Sequence, residues 1–249
     1  MTLKNSRILL ANDDGIYAPG LHMLHECIVE LCDDVWVVAP LSEQSGAGHS
    51  LSMQRPLRIK EIEERKYSVD GTPTDCVVLG ITEVLKDKKP DFVFSGINYG
   101  RNVADHVTYS GTVAAAMEAV ILGIPSIALS LEVDHKHGYP AWETVIYHLP
   151  SILEKVCTQS WDKNVFLNIN FPNLPADQVK GVRVVSQGSR RTNRPPLTRE
   201  DPFGKTYYWI DVFDQRDTNP DTDIASLRDG YITITPLSVN LTHGDSLTF

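Results

Sequence analysis

Short continuous apolar runs alternate with segments of helical spacing along the chain, and that alternation leaves few folds open. Arg7-Ile8-Leu9-Leu10-Ala11-Asn12 is an apolar run with a polar end. A strand buried on both faces of a parallel sheet reads this way. Leu21, Leu24, Ile28 and Leu31 follow at helical spacing, and Val35-Trp36-Val37-Val38-Ala39 is a second buried strand stopped by Pro40. Strand, helix and strand within such a stretch form a βαβ unit. The alternation then repeats. Residues 75–85 read as a helix, 91–95 as a strand, 112–122 as an Ala-rich helix and 126–130 as a strand after Pro125. Beyond Gly138 the pattern predicts a helix over 142–156 and strands over 165–170 and 230–235. The implied fold is α/β, a doubly wound and mostly parallel sheet.

A length of 249 residues accommodates this as a single α/β domain over residues 1–249. Residues 187–222 break the pattern. They are polar, carry Arg190, Arg191, Arg194 and Pro195-Pro196, and end in the aromatic run Tyr207-Tyr208-Trp209. Alternation over 205–212 suggests one side of a hairpin, and a long segment with little core of its own is usually functional or an interaction arm.

Charge and cysteine content narrow the function. A net charge of −9, with no basic run longer than a pair such as Arg190-Arg191, does not attract nucleic-acid polymers. It also repels a phosphorylated substrate at long range, so any phosphate site must create its own local positive field. Apolar runs are too short to span a membrane, and the first residues lack a signal-peptide pattern. Cys27, Cys32, Cys76 and Cys157 form no C-x-x-C pair, which reads as small core residues in a reducing compartment, the cytoplasm.

Asn12-Asp13-Asp14-Gly15 stands directly after the first strand. Ligands of open parallel sheets bind outside the carboxyl ends of the strands. Two adjacent carboxylates there repel each other, and a hard divalent cation with oxygen ligands offsets that repulsion. Gly15 permits the sharp turn. The bland reading is a solvated turn in which Asp13 caps a helix. Two further loops leave strand ends, residues 40–48 with small Ser, Gly and Ala residues and residues 95–102 with glycines and the amides of Asn98 and Asn102. The first contains G-x-G but has Leu51 where a dinucleotide fingerprint needs glycine. Finally, Ser110-Gly111-Thr112 opens the Ala-rich helix. It offers free N–H groups, hydroxyls and the positive end of a helix dipole, a phosphate site that needs no lysine. An ordinary serine N-cap is the alternative.

Several other chemistries are missing. There is no Walker A sequence and no H-E-x-x-H, and Gly48-His49-Ser50-Leu51-Ser52 ends in serine where a nucleophile elbow needs glycine. His135 and His137 beside Asp134 resemble a metal pair but read better as an exposed polar loop. Adjacent rather than alternating aspartates disfavour a covalent aspartyl intermediate.

These segments together resemble the SurE family, the stationary-phase survival nucleotidases. The likeness is carried by residues 8–15 with Ala18-Pro19-Gly20, by Val38-Ala39-Pro40 with Ser45-Gly46, and by Gly71-Thr72-Pro73-Thr74-Asp75-Cys76-Val77. Ser95-Gly96-Ile97-Asn98 with Gly100 and Asn102 carries it further, as do residues 109–118, 167–172, Thr222-Asp223 and 230–237. The resemblance implies a Rossmann-like fold and a phosphomonoesterase, a 5′-nucleotidase acting on nucleoside monophosphates. It extends to 3′-nucleotides and short polyphosphate. It implies one divalent ion per subunit, Mg²⁺ or Mn²⁺, on Asp13, Asp14, Ser45 and Asn98, and phosphate contacts from Asn102, Ser110, Gly111 and Thr112. It also implies a homodimer or homotetramer that exchanges a C-terminal hairpin arm within residues 187–222. His106 departs from the pattern, standing where the family often has Asp. Asp13 or Asp14 would then be the base for an attacking water. The competing expectations are a nucleotide-binding or sensor module without catalysis and a covalent aspartyl phosphatase.

Overall fold

The computed structural model describes residues 3–133, 139–189, 196–210, 217 and 219–242. Asp134, His135, His137, Arg190, Arg191, Arg194 and Pro195 lie outside the described residues.

The expected strands and helices form. β1 (Arg7–Ala11), α1 (Pro19–Val29) and β2 (Asp34–Pro40) make the first βαβ unit. β3 (Ile59–Glu63) and β4 (Lys66–Val69) follow, then α2 (Pro73–Leu79), which continues as a π-helical turn over Gly80–Val84. Next come β5 (Phe92–Tyr99), a 3₁₀ turn (Ala104–Thr108), α3 (Gly111–Ile121) and β6 (Ser126–Leu131). α4 (Trp142–Cys157), β7 (Val165–Phe171) and β8 (Val182–Val184) lead into β9 (Leu197–Glu200) and β10 (Thr206–Trp209). α5 (Asp223–Arg228) and β11 (Ile232–Ser238) complete the described chain.

Among the described residues one sheet holds nine strands in the order β3-β4-β2-β1-β5-β6-β7-β11-β8. The six from β4 to β7 are parallel throughout, in the spatial order of a doubly wound nucleotide-binding sheet. β11 then pairs antiparallel with β7, and β3 antiparallel with β4. β1 has β2 on one side and β5 on the other. The chain winds outward from β1 in one direction and then returns to start the other half at β5. The crevice above β1 and β5 is therefore the topological switch point.

The two-residue strand period explains how one apolar run serves two cores. Ile8 and Leu10 of β1 face a cluster with Leu21, Leu24 and Ile28 of α1 and Val145, Leu149 and Leu153 of α4. Leu9 and Ala11 face the opposite cluster with Cys76 and Val77 of α2 and Ala115 and Ala119 of α3. Helices thus cover both faces, as an alternating βα pattern requires. Glycine lets α1 come unusually near the sheet. A Cβ on Gly20 would lie 1.9 Å from the Ile97 carbonyl oxygen.

Capping places the helices that matter for the crevice. Thr72 and Asp75 form a reciprocal capping box at the start of α2. Ser110 caps α3, its hydroxyl accepting the Val113 N–H at 3.1 Å. Among the described residues no helix is long and apolar enough to cross a membrane.

β9 and β10 form a separate antiparallel pair, with Thr206 opposite Glu200 and Trp209 opposite Leu197. All residues of both strands are exposed. The hairpin expected within residues 187–222 therefore exists, and both its strands stand off the main sheet.

Candidate active site at the end of the first strand

Four segments meet at the carboxyl ends of β1, β2 and β5 and the start of α3. The turn after β1 is closed by Gly15 at φ +103°, where a Cβ would come 3.3 Å from the Ser42 carbonyl carbon. The Gln44 N–H donates to the Asp13 carbonyl at 2.8 Å, and the Ile16 N–H to the Pro40 carbonyl at 2.8 Å. These bonds pin the residue 41–48 loop onto the Asp13-Asp14 turn.

Asp13 is only 4% exposed. Its Oδ1 accepts the Thr112 hydroxyl at 2.5 Å. Burial pushes its carboxyl above the ordinary carboxylate range, against the lowering effect of the Thr112 hydroxyl and of the Thr112 and Gly111 N–H groups. The positive end of α3 thus faces Asp13. The approach depends on Gly111, where a Cβ would lie 2.7 Å from the Asp13 Cβ and 3.0 Å from its Oδ2.

Asp14 lies alongside. Its Oδ2 accepts the Tyr99 N–H at 3.2 Å. Burial first, then the negative charge of Asp13, push the Asp14 carboxyl up to about 6. Two carboxyls that both resist ionisation, next to each other, make a site whose charged form needs a cation.

A cavity of about 610 Å³ opens on this region. Of the residues expected from the sequence, Asp13, Ser45, Asn98, Asn102 and Ser110 line it. Gly111 and Thr112 stand behind Asp13, and Asp14 sits beside Tyr99 outside that lining. Gly46, Tyr99, Tyr109, His106 and Ile210 complete the described walls. Ile210 immediately follows β10 and brings the hairpin to the cavity. No lysine or arginine is among the described lining residues.

Asn102 is held by a buried polar network that sequence reading did not single out. Its N–H donates to Asn170 Oδ1 at 2.8 Å, and its Nδ2 to Ser130 Oγ at 2.9 Å. Its carbonyl accepts from Asn168 Nδ2 at 2.7 Å and Asn170 Nδ2 at 3.1 Å. Two amides at alternate positions of an otherwise apolar strand share one face, which was the available signal.

The donor chemistry fits a hard divalent cation. Asn98 Nδ2 donates to the Gly100 carbonyl at 2.7 Å, leaving Oδ1 as the donor oxygen. The Ser45 hydroxyl donates to Glu43 Oε1 at 2.9 Å and keeps lone pairs for an ion. With Asp13 and Asp14 the set is all oxygen, which suits Mg²⁺ or Mn²⁺ over softer metals. Among the described residues no group of three or more His, Cys, Asp or Glu could hold a metal. Any site here relies on the hydroxyl and amide beside the carboxylate pair.

Comparison with known proteins shows which family the chain is similar to. A family profile described as "Survival protein SurE" matches residues 8–194. The chain is 49% identical over 242 residues to the protein named 5′-nucleotidase SurE of Paramagnetospirillum magneticum, covering 97% of this chain and 93% of that one. It is 47% identical to the protein of the same name from Methylocella silvestris, covering 97% of each. The SurE protein of Aquifex aeolicus superposes with a TM-score of 0.84 at 41% identity, covering 95% of this chain and 94% of that one. The chain belongs to the SurE family.

Proposed function

We propose that this chain is a 5′-nucleotidase, a metal-dependent phosphomonoesterase that hydrolyses nucleoside monophosphates by attack of water. The observation that carries the reading is the buried Asp13 carboxylate on the wall of the switch-point cavity, held by Thr112 and the first turn of α3. Relatives that align over nearly the whole chain are named 5′-nucleotidase.

Asp13, Asp14, Ser45 and Asn98 would hold one Mg²⁺ or Mn²⁺ per subunit. When bound, that ion supplies charge neutralisation for the phosphoryl oxygens and acidifies water. The chain's own groups do the positioning. Thr112 and the Gly111 N–H fix the Asp13 carboxylate, so its orientation is set before substrate arrives. Asn102 spends one Nδ2 hydrogen on Ser130 and keeps a second for a phosphoryl oxygen. Ser110, which lines the cavity, would meet a further oxygen from the helix terminus, whereas Gly111 and Thr112, also expected as phosphate contacts, are turned to the Asp13 carboxylate. Asp13 or Asp14 takes the proton of the attacking water. Tyr99, Tyr109 and Ile210 form the less polar wall, which suits the nucleoside.

The reading extends to 3′-nucleotides and short polyphosphate as further substrates, since each presents a terminal phosphate. The exposed hairpin would pair with a second subunit in a homodimer or homotetramer. Cys27, Cys32, Cys76 and Cys157, all free and buried, accord with a cytoplasmic setting.

Phosphate release across a panel of 5′- and 3′-nucleotides, short polyphosphate and glycerol phosphate, with and without Mg²⁺ or Mn²⁺, tests the proposal. Release from nucleoside monophosphates, abolished by EDTA and restored by either ion, is expected. Full turnover after dialysis against excess EDTA sinks the metal requirement. Tight nucleotide binding with no release favours a sensor.

A further inference from the structure

His49 and Glu118 form a second link between the residue 41–52 loop and α3. His49 Nε2 lies 2.8 Å from Glu118 Oε2, and the two residues are 69 apart in the chain. The Glu118 side chain is only 9% exposed and that of His49 32%. A buried carboxylate needs a partner. Here the partner comes from the loop that carries Ser45, not from a neighbouring turn of the same helix.

The ends of the loop are well tied, Leu41 to the Val69 carbonyl, and Ser50 and Ser52 to Thr72 and Asp75 at the start of α2, but the stretch around Ser45 turns on two glycines. Gly46 and Gly48 both take positive φ, +79° and +55°. A Cβ on Gly46 would meet nothing within 4 Å. A glycine backbone in open space is free to move among conformations, so the position of Gly46 must be set by ties at either side. On one side the Gln44 N–H is bonded to the Asp13 carbonyl at 2.8 Å. On the other the Gly48 N–H is bonded to the Tyr109 carbonyl at 3.1 Å, next to His49. Glu118 belongs to the same helix whose Thr112 holds Asp13 at 2.5 Å. One rigid element therefore registers both segments, the Asp13 turn through Thr112 and the Ser45 loop through Glu118.

We infer that the His49–Glu118 contact positions the Ser45 loop for cation binding, making both of them positioning residues of the site. The inference rests on the reading that Ser45 faces a divalent ion. Neither residue lines the cavity, so each acts only through the loop. Losing such a supporting contact typically lowers metal affinity or activity about 10–100-fold.

The test is Mn²⁺ titration by calorimetry on the full-length protein, with thermal melting and AMP kinetics on the same samples. The variants are His49→Ala, His49→Gln and Glu118→Ala. Glutamine keeps a donor amide near the position of the imidazole Nε2. The expected result is a Mn²⁺ Kd raised about tenfold in His49→Ala and Glu118→Ala, restored toward wild type in His49→Gln. The rise in the Mn²⁺ concentration needed for half-maximal AMP hydrolysis should match. Wild-type Mn²⁺ affinity in a folded His49→Ala overturns the inference and leaves the metal reading standing. A lowered melting temperature in all three variants, with Mn²⁺ affinity unchanged in whichever of them stays folded, also overturns it, because the contact would then serve stability alone. Absence of Mn²⁺ binding by the wild type overturns the metal reading and this inference with it.

Discussion

Thr112 Oγ1 donates to Asp13 Oδ1 at 2.5 Å across 99 residues of sequence. The hydroxyl at the start of α3 is thereby committed to orienting a carboxylate, and Thr112 itself is fully buried. Thr112→Val keeps the shape and deletes that donor. The loss, a hydrogen bond to a charged group, should cost roughly 1–3 kcal/mol of transition-state stabilisation. Steady-state kcat/KM on AMP reads it, and an unchanged value would show that Asp13 needs no help from Thr112.

Asp13→Asn removes charge and leaves volume almost untouched. Activity should fall by about two orders of magnitude or more, with a melting temperature at or above that of wild type. The second part follows from burial, which disfavours the charged form. Near wild-type turnover in Asp13→Asn would make Asp13 a turn residue and no more.

Gly111→Ala places a methyl 2.7 Å from the Asp13 Cβ. Something must shift, and the nearest group is the one the site depends on. Overpacking of this kind costs about 1–3 kcal/mol, and the displaced carboxylate should cost activity beyond what stability explains. Chemical denaturation and AMP turnover measured together check this. Full activity at full stability is the outcome that defeats it.

The Asp14 carboxyl titrates at about 6 in the folded protein against an ordinary 3.8. A raised carboxyl pKa means that the folded state binds more protons than the unfolded chain within that window. Stability is therefore lost as pH rises from the lower value through the upper one. A divalent ion restores what ionisation removes. The rise in melting temperature produced by Mn²⁺ should be small near about pH 4.5 and largest above about pH 7. A larger rise at the acid end would contradict the placement of the ion on Asp14.

Leu197, Phe203, Tyr208, Trp209 and Ile210 are all at least half exposed. Exposed aromatic surface on an isolated hairpin is characteristic of an interface. Light scattering on the intact protein should give a dimer or tetramer, and deletion of residues 190–215 should reduce it. A monomeric intact protein, or an oligomer indifferent to the deletion, would falsify arm exchange.

What the sequence determined by itself was the central sheet and the address of the candidate site. Ile8 to Ala11 had to lie between two layers, because consecutive strand residues point to opposite faces and all of them are apolar. An Asn-Asp-Asp-Gly turn at the end of such a strand opens on the crevice where parallel sheets bind ligands. The edges were not legible. β3 reads Ile-Lys-Glu-Ile-Glu and is largely exposed, since charges on an edge strand guard it from further pairing and erase the apolar signal. β8 is a three-residue edge strand, and α5 has six residues, too short for periodicity to register. The antiparallel turn of β11 against β7 left no local mark either, because strand direction is set by the path of the chain.

Only the tertiary structure decided which groups meet. Thr112 with Asp13, Glu118 with His49 and Asn170 with Asn102 are pairs separated by 99, 69 and 68 residues. Such pairs form because α3 and β7 pack where they do, and no local pattern encodes their partners. The raised pKa values of Asp13 and Asp14 follow from the same cause. A carboxylate's chemistry depends on how much water it has lost, and burial belongs to the folded chain as a whole.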